Sequence, residues 1–350
     1  MIERRSWESN QRACQSMFDV IGNTPMVRLN RIAKDVGAEI YCKLEWYGPT
    51  GSLKDRAYYN MITEAEARGD LKAGMTILEC STGNAGTACA WVAALKGYRC
   101  IITMPVGMSD ERKKLMVAYG AELVFTPGGE SDVDLALEKA FEIRDQDPDQ
   151  YWVPNQFDND DNVQSHFLTT GPEIWEQTEG RVEAIVATSG SGGGITGIAK
   201  YLQEQNPDVQ MWAVEPEECP LLSERGWGSH GIEGIGDGLV PRNLHLRHMT
   251  GVITTHTDEA VEMAKRMARE EGIFCGISSG SNVAAALKLA RKHPDIGYIV
   301  CMTNDTGQRY FSTALCGEAK HVEIPERDHP LGDYTVEQLD IYQSGWEIIN

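Results

Sequence analysis

Three absences bound this chain before any motif is read. No stretch approaches the ~20 consecutive apolar residues of a membrane span, and the start, Met1-Ile2-Glu3-Arg4-Arg5-Ser6-Trp7-Glu8, lacks the apolar core of a secretory leader. A cytoplasmic location is the expectation. Basic residues are outnumbered, 32 against 52 acidic, giving a formal net charge of −20. That balance argues against nucleic acid or an anionic membrane as partner, since either needs a basic face. The nine cysteines are odd in number and form no C-x-x-C pair, so neither a disulfide framework nor a metal cluster is expected. Cys42, Cys100 and Cys301 stand in apolar runs, where free cysteine serves as a small hydrophobe. Internal repeats and low-complexity tracts are absent too.

What is present is an ordinary globular composition, 24% charged and 41% hydrophobic, over 350 residues. That length suits two linked lobes. β-rich runs at 39–46, 75–79, 98–104, 122–126, 183–187, 210–214, 251–254 and 298–302 alternate with helical apolar spacing at 55–68, 85–95, 110–119, 132–144, 258–270 and 282–292. The alternation predicts an α/β protein with mainly parallel sheet. The polar stretch 145–150 and the acidic stretch 158–161 are candidate lobe boundaries. Beyond about 324 the chain turns polar, and 336–349 regains a helical pattern.

Four motifs carry chemistry. Gly51-Ser52-Leu53-Lys54-Asp55-Arg56 sets a lysine just after a glycine turn, at a helix entrance. Ser81-Thr82-Gly83-Asn84-Ala85-Gly86 joins a strand to a helix, so its hydroxyls, amide and N–H groups can hold a carboxylate. Gly190, Ser191, Gly192, Gly193 and Gly194 follow a strand and open a helix, the setting for a phosphate cradle. Gly276-Ile277-Ser278-Ser279-Gly280 supplies a hydroxyl at a fourth helix start. An imine-forming cofactor needs an amine for its aldehyde, a cradle for its phosphate, a polar partner for its ring nitrogen and a pocket for the substrate carboxylate. This chain supplies a candidate for each.

Ordinary readings compete. A single lysine is usually a surface lysine, and serine or threonine at a helix start is an ordinary cap. The third motif also matches GxGxxG at Gly192, Gly194 and Gly197, with Glu215 ending the next strand, as in an NAD-binding oxidoreductase. The fourth matches GxSxG, with Asp305 and His321 following in hydrolase order, but a proper strand before it is missing. The oxidoreductase leaves three of the four motifs idle.

Together with Gly22-Asn23-Thr24-Pro25, Gln156-Phe157, Thr170-Gly171-Pro172-Glu173-Ile174, Gly234-Ile235-Gly236 and the run 271–280, these motifs identify a resemblance to the fold-type II pyridoxal-phosphate enzymes. Within them the chain resembles the cysteine synthase (O-acetylserine sulfhydrylase) and cystathionine β-synthase group, from about residue 21 to 317. The resemblance implies a two-lobed, tryptophan synthase β-like fold: 1–50 and 165–325 as the large cofactor-binding lobe, 51–164 as a smaller mobile lobe, and 326–350 as a tail. It implies pyridoxal 5′-phosphate on Lys54, which later moves the substrate α-proton. Asn84 would meet the ring hydroxyl, Gly190 to Gly194 the phosphate and Ser278 the pyridine nitrogen. Ser81, Thr82, Ala85 and Gln156 would surround the substrate carboxylate. The implied reaction is β-replacement on a serine- or cysteine-derived amino acid through an aminoacrylate, with sulfide or a thiol as nucleophile. A homodimer, and no metal, are implied as well.

Four positions depart from the pattern of that group. Gly48 stands where asparagine is usual, Ala85 lacks a usual hydroxyl, Gly194 replaces a common threonine, and Asp237 stands where sulfhydrylases commonly carry alanine. Aspartate between glycines is often just a turn residue. As a functional alternative, Asp237 would act as a base on the incoming nucleophile. With water activated in this way, cysteine would yield sulfide and serine, a lyase reaction; or Asp237 would exclude anionic substrates.

Overall fold

Two sheets divide the strands of this protein, whose computed structural model describes residues 13–129, 132–317 and 328–350. In chain order the elements are β1 (Met26–Arg28), β2 (Glu39–Leu44), α1 (Lys54–Arg68), β3 (Thr76–Cys80), α2 (Asn84–Lys96), β4 (Arg99–Pro105), α3 (Asp110–Ala118), β5 (Glu122–Thr126), α4 (Val133–Gln146), β6 (Tyr151–Trp152), α5 (Asp160–Leu168) and α6 (Thr170–Gln177). Then follow β7 (Ala184–Thr188), α7 (Gly193–Gln205), β8 (Gln210–Pro216), α8 (Leu221–Glu224), β9 (Gly251–Thr255), α9 (Thr257–Arg266), α10 (Ile277–Lys292), β10 (Tyr298–Thr303), α11 (Asp333–Tyr342) and β11 (Glu347–Ile349).

The larger sheet has seven strands in the order β1-β2-β10-β7-β8-β9-β11, and the smaller has four in the order β5-β4-β3-β6. Every pairing is parallel except β1 with β2. Both faces of such sheets are covered by helices, so their strands are apolar without alternation. β3 and β10 are buried at every position. The covering helices α2 and α10 are buried along most of their length for the same reason. Gly69 and Gly97 end α1 and α2 in the left-handed conformation that glycine adopts without steric cost. Among the described residues no helix is long and apolar enough to cross a membrane.

The predicted α/β alternation is what the chain forms, with instructive differences at element ends. The strand predicted over 39–46 stops at Leu44 and turns into a single 3-10 turn, Glu45–Tyr47, which aims the Glu45 carboxylate at Arg56. The helix predicted over 258–270 ends at Arg266 and widens into a π-turn, Met267–Glu271. There Glu271 accepts the N–H groups of Arg31 at 2.6 Å and Ile32 at 2.7 Å. The helical pattern of 336–349 holds only to Tyr342; Glu347–Ile349 instead adds a strand parallel to β9. The polar stretch 145–150 leads from α4 into β6, a member of the four-stranded sheet, and 158–161 leads into α5, whose cap is Asn159.

Candidate active site

Both sheets send their functional loops out from the carboxyl ends of parallel strands, where α/β folds place their binding crevices. β2 leads to Lys54, β3 to Ser81, β6 to Gln156, β7 to the glycine loop and β10 to Asn304. These loops line one cleft.

Lys54 opens α1 and points its amine into the cleft, with Nζ 2.9 Å from Gln156 Oε1 and 3.0 Å from Ser191 Oγ. Burial lowers its pKa to about 8, against the opposing pull of Asp237 and Glu79. Such an amine is part neutral under mild conditions, as a nucleophile must be. Across from it the loop after β7 runs into α7, whose leading N–H groups have no intrahelical acceptor. Gly192 caps the helix at φ 77°, and a Cβ on Gly190 would lie 2.7 Å from the Gly234 carbonyl. The loop thus packs against the 234–238 turn only because it carries no side chain there. Gly193 lies beneath, against Asn162, which braces the loop by donating to Ser191 Oγ at 3.1 Å and to the Gln156 carbonyl at 2.8 Å.

Ser278, in the first turn of α10, accepts a hydrogen bond from Asn304 Nδ2 at 3.1 Å, and Asn304 also donates to Thr188 Oγ1 at 2.8 Å. The Ser278 hydroxyl proton is thereby left for another acceptor. Ser81 Oγ accepts the N–H groups of Gly83 at 3.0 Å and Gly86 at 2.7 Å, which shapes the loop at the start of α2. Thr82, Asn84 and Ala85 line the cleft beside it. Asn84 is held by two neighbours: its Nδ2 donates to Asp305 at 2.7 Å, and its Oδ1 accepts from Arg309. Asp237 also lines the cleft; burial raises its pKa to about 6, with Lys54 acting against the rise.

The residues that the resemblance assigns to cofactor and substrate, together with Asp237, therefore line one cleft, except Gly193, which packs against Asn162, and Gly48, the remaining departure, stands outside the lining. A Cβ on Gly48 would lie 2.5 Å from Asp55 Oδ2. Its glycine makes room for the Asp55 carboxylate, which takes the Thr50 N–H at 2.9 Å. Sequence reasoning missed Asn162, Asn304 and His166. His166, one turn before Thr170, is 1% exposed and lines the cleft; its Nδ1 meets Thr170 Oγ1 at 2.9 Å while Nε2 has no hydrogen-bond partner. Burial, aided by Arg56, drives its pKa down to about 3.

The rival readings find less. Glu215, the would-be ribose acid, spends its carboxylate on the N–H groups of Leu222 at 2.7 Å and Ser223 at 2.9 Å. Ser278 sits inside a helical turn rather than on a strand-to-helix elbow, Asp305 is committed to Asn84 and Tyr310, and His321 lies outside the described residues. What the cleft does offer is a buried amine, a bare glycine cradle at a helix N-terminus, a hydroxyl with a spare proton and an orphaned buried imidazole nitrogen beside the cradle. That set fits an aldehyde-bearing, phosphorylated heterocycle.

The fold and the cleft define an enzyme built around such a cofactor. Residues 17–305 match the pyridoxal-phosphate dependent enzyme family, and the chain belongs to it. It is a fold-type II enzyme whose cofactor is pyridoxal 5′-phosphate. It is 41% identical over 306 residues to a cysteine synthase of Staphylococcus aureus (strain Mu50 / ATCC 700699), covering 87% of this chain and 98% of that one. Among solved structures, it resembles a cysteine synthase of Entamoeba histolytica (35% identity, TM-score 0.83, 98% of this chain and 99% of that one). It also resembles a hydrogen sulfide-producing enzyme of Fusobacterium nucleatum (38% identity, TM-score 0.81, 85% of this chain and 100% of that one).

Proposed function

We propose that this enzyme performs β-replacement on a serine- or cysteine-derived amino acid, with sulfide or a thiol as the incoming nucleophile. The observation that carries the reading is the Lys54 amine facing both the glycine cradle and the Ser81–Gln156 side of one cleft. The relatives named as cysteine synthases, and the one named as producing hydrogen sulfide, support it. When bound, pyridoxal phosphate supplies an electron sink that acidifies the α-proton of an attached amino acid and eases departure of a group from Cβ.

The chain's own residues would do the rest. Lys54 Nζ would hold the aldehyde carbon and, as a free amine, take the α-proton. N–H groups from Gly190 to Gly194 and the dipole of α7 would bind the phosphate. Ser278 would offer its remaining proton to the ring nitrogen; a neutral hydroxyl stabilises a protonated ring less than a carboxylate would, which suits elimination from Cβ over transamination. Asn84, with one Nδ2 hydrogen on Asp305, would give the other to the ring hydroxyl. Ser81, Thr82, Ala85 and Gln156 would hold the substrate carboxylate through hydroxyls, N–H groups and the carboxamide.

Asp237 favours a second reading in which cysteine yields sulfide and serine. Its carboxylate lies in the cleft within the field of Lys54, where it would take a proton from water or a thiol. Only the ionised form is a base, so the rate of the nucleophilic step is expected to rise with pH through about 6. Asp237→Asn removes that limb; an unchanged pH profile and product distribution overturns the role.

Two further assignments belong here. The four-stranded sheet and α1 fall within 51–164, the segment assigned to a smaller lobe that moves, and limited proteolysis with and without amino acid tests it. A homodimer is the form the family suggests, checked by sedimentation, and the cytoplasmic location expected from the sequence is checked by cell fractionation. The decisive experiment is borohydride reduction of the yellow holoenzyme followed by peptide mapping. Label at Lys54, with new amino-acid products from O-acetylserine plus sulfide or from cysteine, is the expected result. Tight NAD(H) binding by colourless protein overturns the reading.

A further inference from the structure

Glu79 is fully buried at the end of β3 and does not line the cleft. Its Oε2 accepts the Tyr58 hydroxyl at 2.9 Å and its Oε1 accepts the Cys80 N–H at 2.8 Å, and the Gln156 backbone N–H is turned toward the same carboxylate. Gln156 in turn receives Lys54 Nζ on Oε1 at 2.9 Å and donates Nε2 to the Cys80 carbonyl at 3.3 Å. Tyr58 stands four residues after Lys54, on the same face of α1. These bonds close a ring: it leaves α1 at Lys54, crosses to Gln156, passes through the Cys80 carbonyl to the adjoining Glu79 and re-enters α1 at Tyr58. Any sliding of α1 past the Gln156 segment must break bonds at both ends of the ring.

We propose that Glu79 is a positioning residue that holds the Lys54 amine and the Gln156 carboxamide in register by anchoring this ring. The proposal rests on the reading of Lys54 and Gln156 given above. A carboxylate suits the place because three donors converge on it, and an acceptor-only group satisfies all three. An amide there turns an N–H against one of them. Whenever the Lys54 nitrogen is a free amine, Gln156 is ready to receive it. When that nitrogen is otherwise engaged, Glu79 still fixes the end of β3 beside the Gln156 segment, and the carboxamide is released toward a substrate carboxylate.

Burial raises the Glu79 pKa to about 7, with the Cys80 N–H, the Tyr58 hydroxyl, the Gln156 N–H and Lys54 acting against the rise. The titratable groups in its field are Lys54 and Tyr58 on α1, Cys80 on its own strand and Cys89 on α2. Protonation removes an acceptor from three donors, so the ring loosens as pH falls through neutrality.

The test uses the holoenzyme and L-alanine, an amino acid with no leaving group on Cβ, with binding read from the change in the visible band. Glu79→Gln is expected to keep cofactor and borohydride label at Lys54 but to bind L-alanine roughly tenfold more weakly. It is also expected to flatten the rise in affinity between about pH 6 and 8. Tyr58→Phe, which opens the ring at its other end, is expected to weaken binding in the same direction by a smaller factor. It carries the test if Glu79→Gln does not fold. Wild-type affinity and pH profile in both variants, or in Tyr58→Phe alone if only that variant folds, overturn the proposal while leaving Lys54 in place. Absence of label at Lys54 in the wild type overturns the functional reading itself.

Discussion

At Gly194 the chain has space for the side chain that resembling enzymes commonly carry there. A Cβ would lie 3.6 Å from Leu53 Cδ1 and 3.8 Å from His166 Nε2, ordinary contact distances. Gly194→Thr is therefore expected to fold normally and, by adding a hydroxyl beside the cradle, to slow cofactor loss severalfold in dialysis. Its neighbour behaves oppositely. A Cβ on Gly193 would lie 2.2 Å from Asn162 Oδ1, so Gly193→Ala displaces the side chain that braces Ser191 and Gln156. Faster cofactor release is expected, measured by the same dialysis; equal release from both variants would contradict the bracing role of Asn162.

Between elements, a buried charge cluster ties β2, α1 and α6. Glu173 receives Lys43 Nζ at 2.7 Å and Arg56 NH1 at 2.6 Å, and Arg56 Nε reaches Glu45 at 2.8 Å, all at most 2% exposed. Removing Glu173 takes the carboxylate that Lys43 pairs with and one of the two that Arg56 pairs with, and Glu173→Ala is expected to cost about 3–5 kcal/mol in denaturant unfolding. Burial pushes the Glu173 pKa up, but Arg56 and Lys43 more than offset this and hold it well below the carboxylate range. Its contribution is thus complete above the ordinary carboxylate pKa of about 4.3 and is lost as pH falls below it. Acid unfolding of Glu173→Gln should accordingly be shallower than that of the wild type. None of this cluster announces itself in the sequence, because Lys43 and Glu173 are far apart in the chain and charged residues carry no local period. The glycine loops, Lys54 and Ser278 were legible because their chemistry is written in neighbouring residues. Asn304 and His166 were not, since each acts through a partner on another element. β11 was hidden for a third reason: three residues are too short to show strand alternation, and the helical spacing of α11 runs into them.

For the molecule as a whole, the C-terminal segment is part of the packed body. Leu339 and Ile349 are buried in the apolar clusters on either side of the larger sheet, and β11 covers the edge of β9. Deleting 328–350 bares that edge and both clusters, so a lower melting temperature and concentration-dependent aggregation are expected. Light scattering during a thermal ramp measures both. The parallel run of the sheets has another effect. The loops that carry Lys54, Ser81, Gln156, the glycine cradle and Asn304 leave carboxyl strand ends, and the connections at the amino ends, such as Pro207-Asp208 between α7 and β8 or Pro294-Asp295 between α10 and β10, are exposed and face away from the chemistry. This rim can accept foreign sequence. A short Gly/Ser peptide spliced between Pro294 and Asp295 should leave the yellow colour unchanged, whereas the same splice between Gly190 and Ser191 should give colourless protein. The enzyme thus has one side that can be rebuilt, for tethering or fusion, without touching the other.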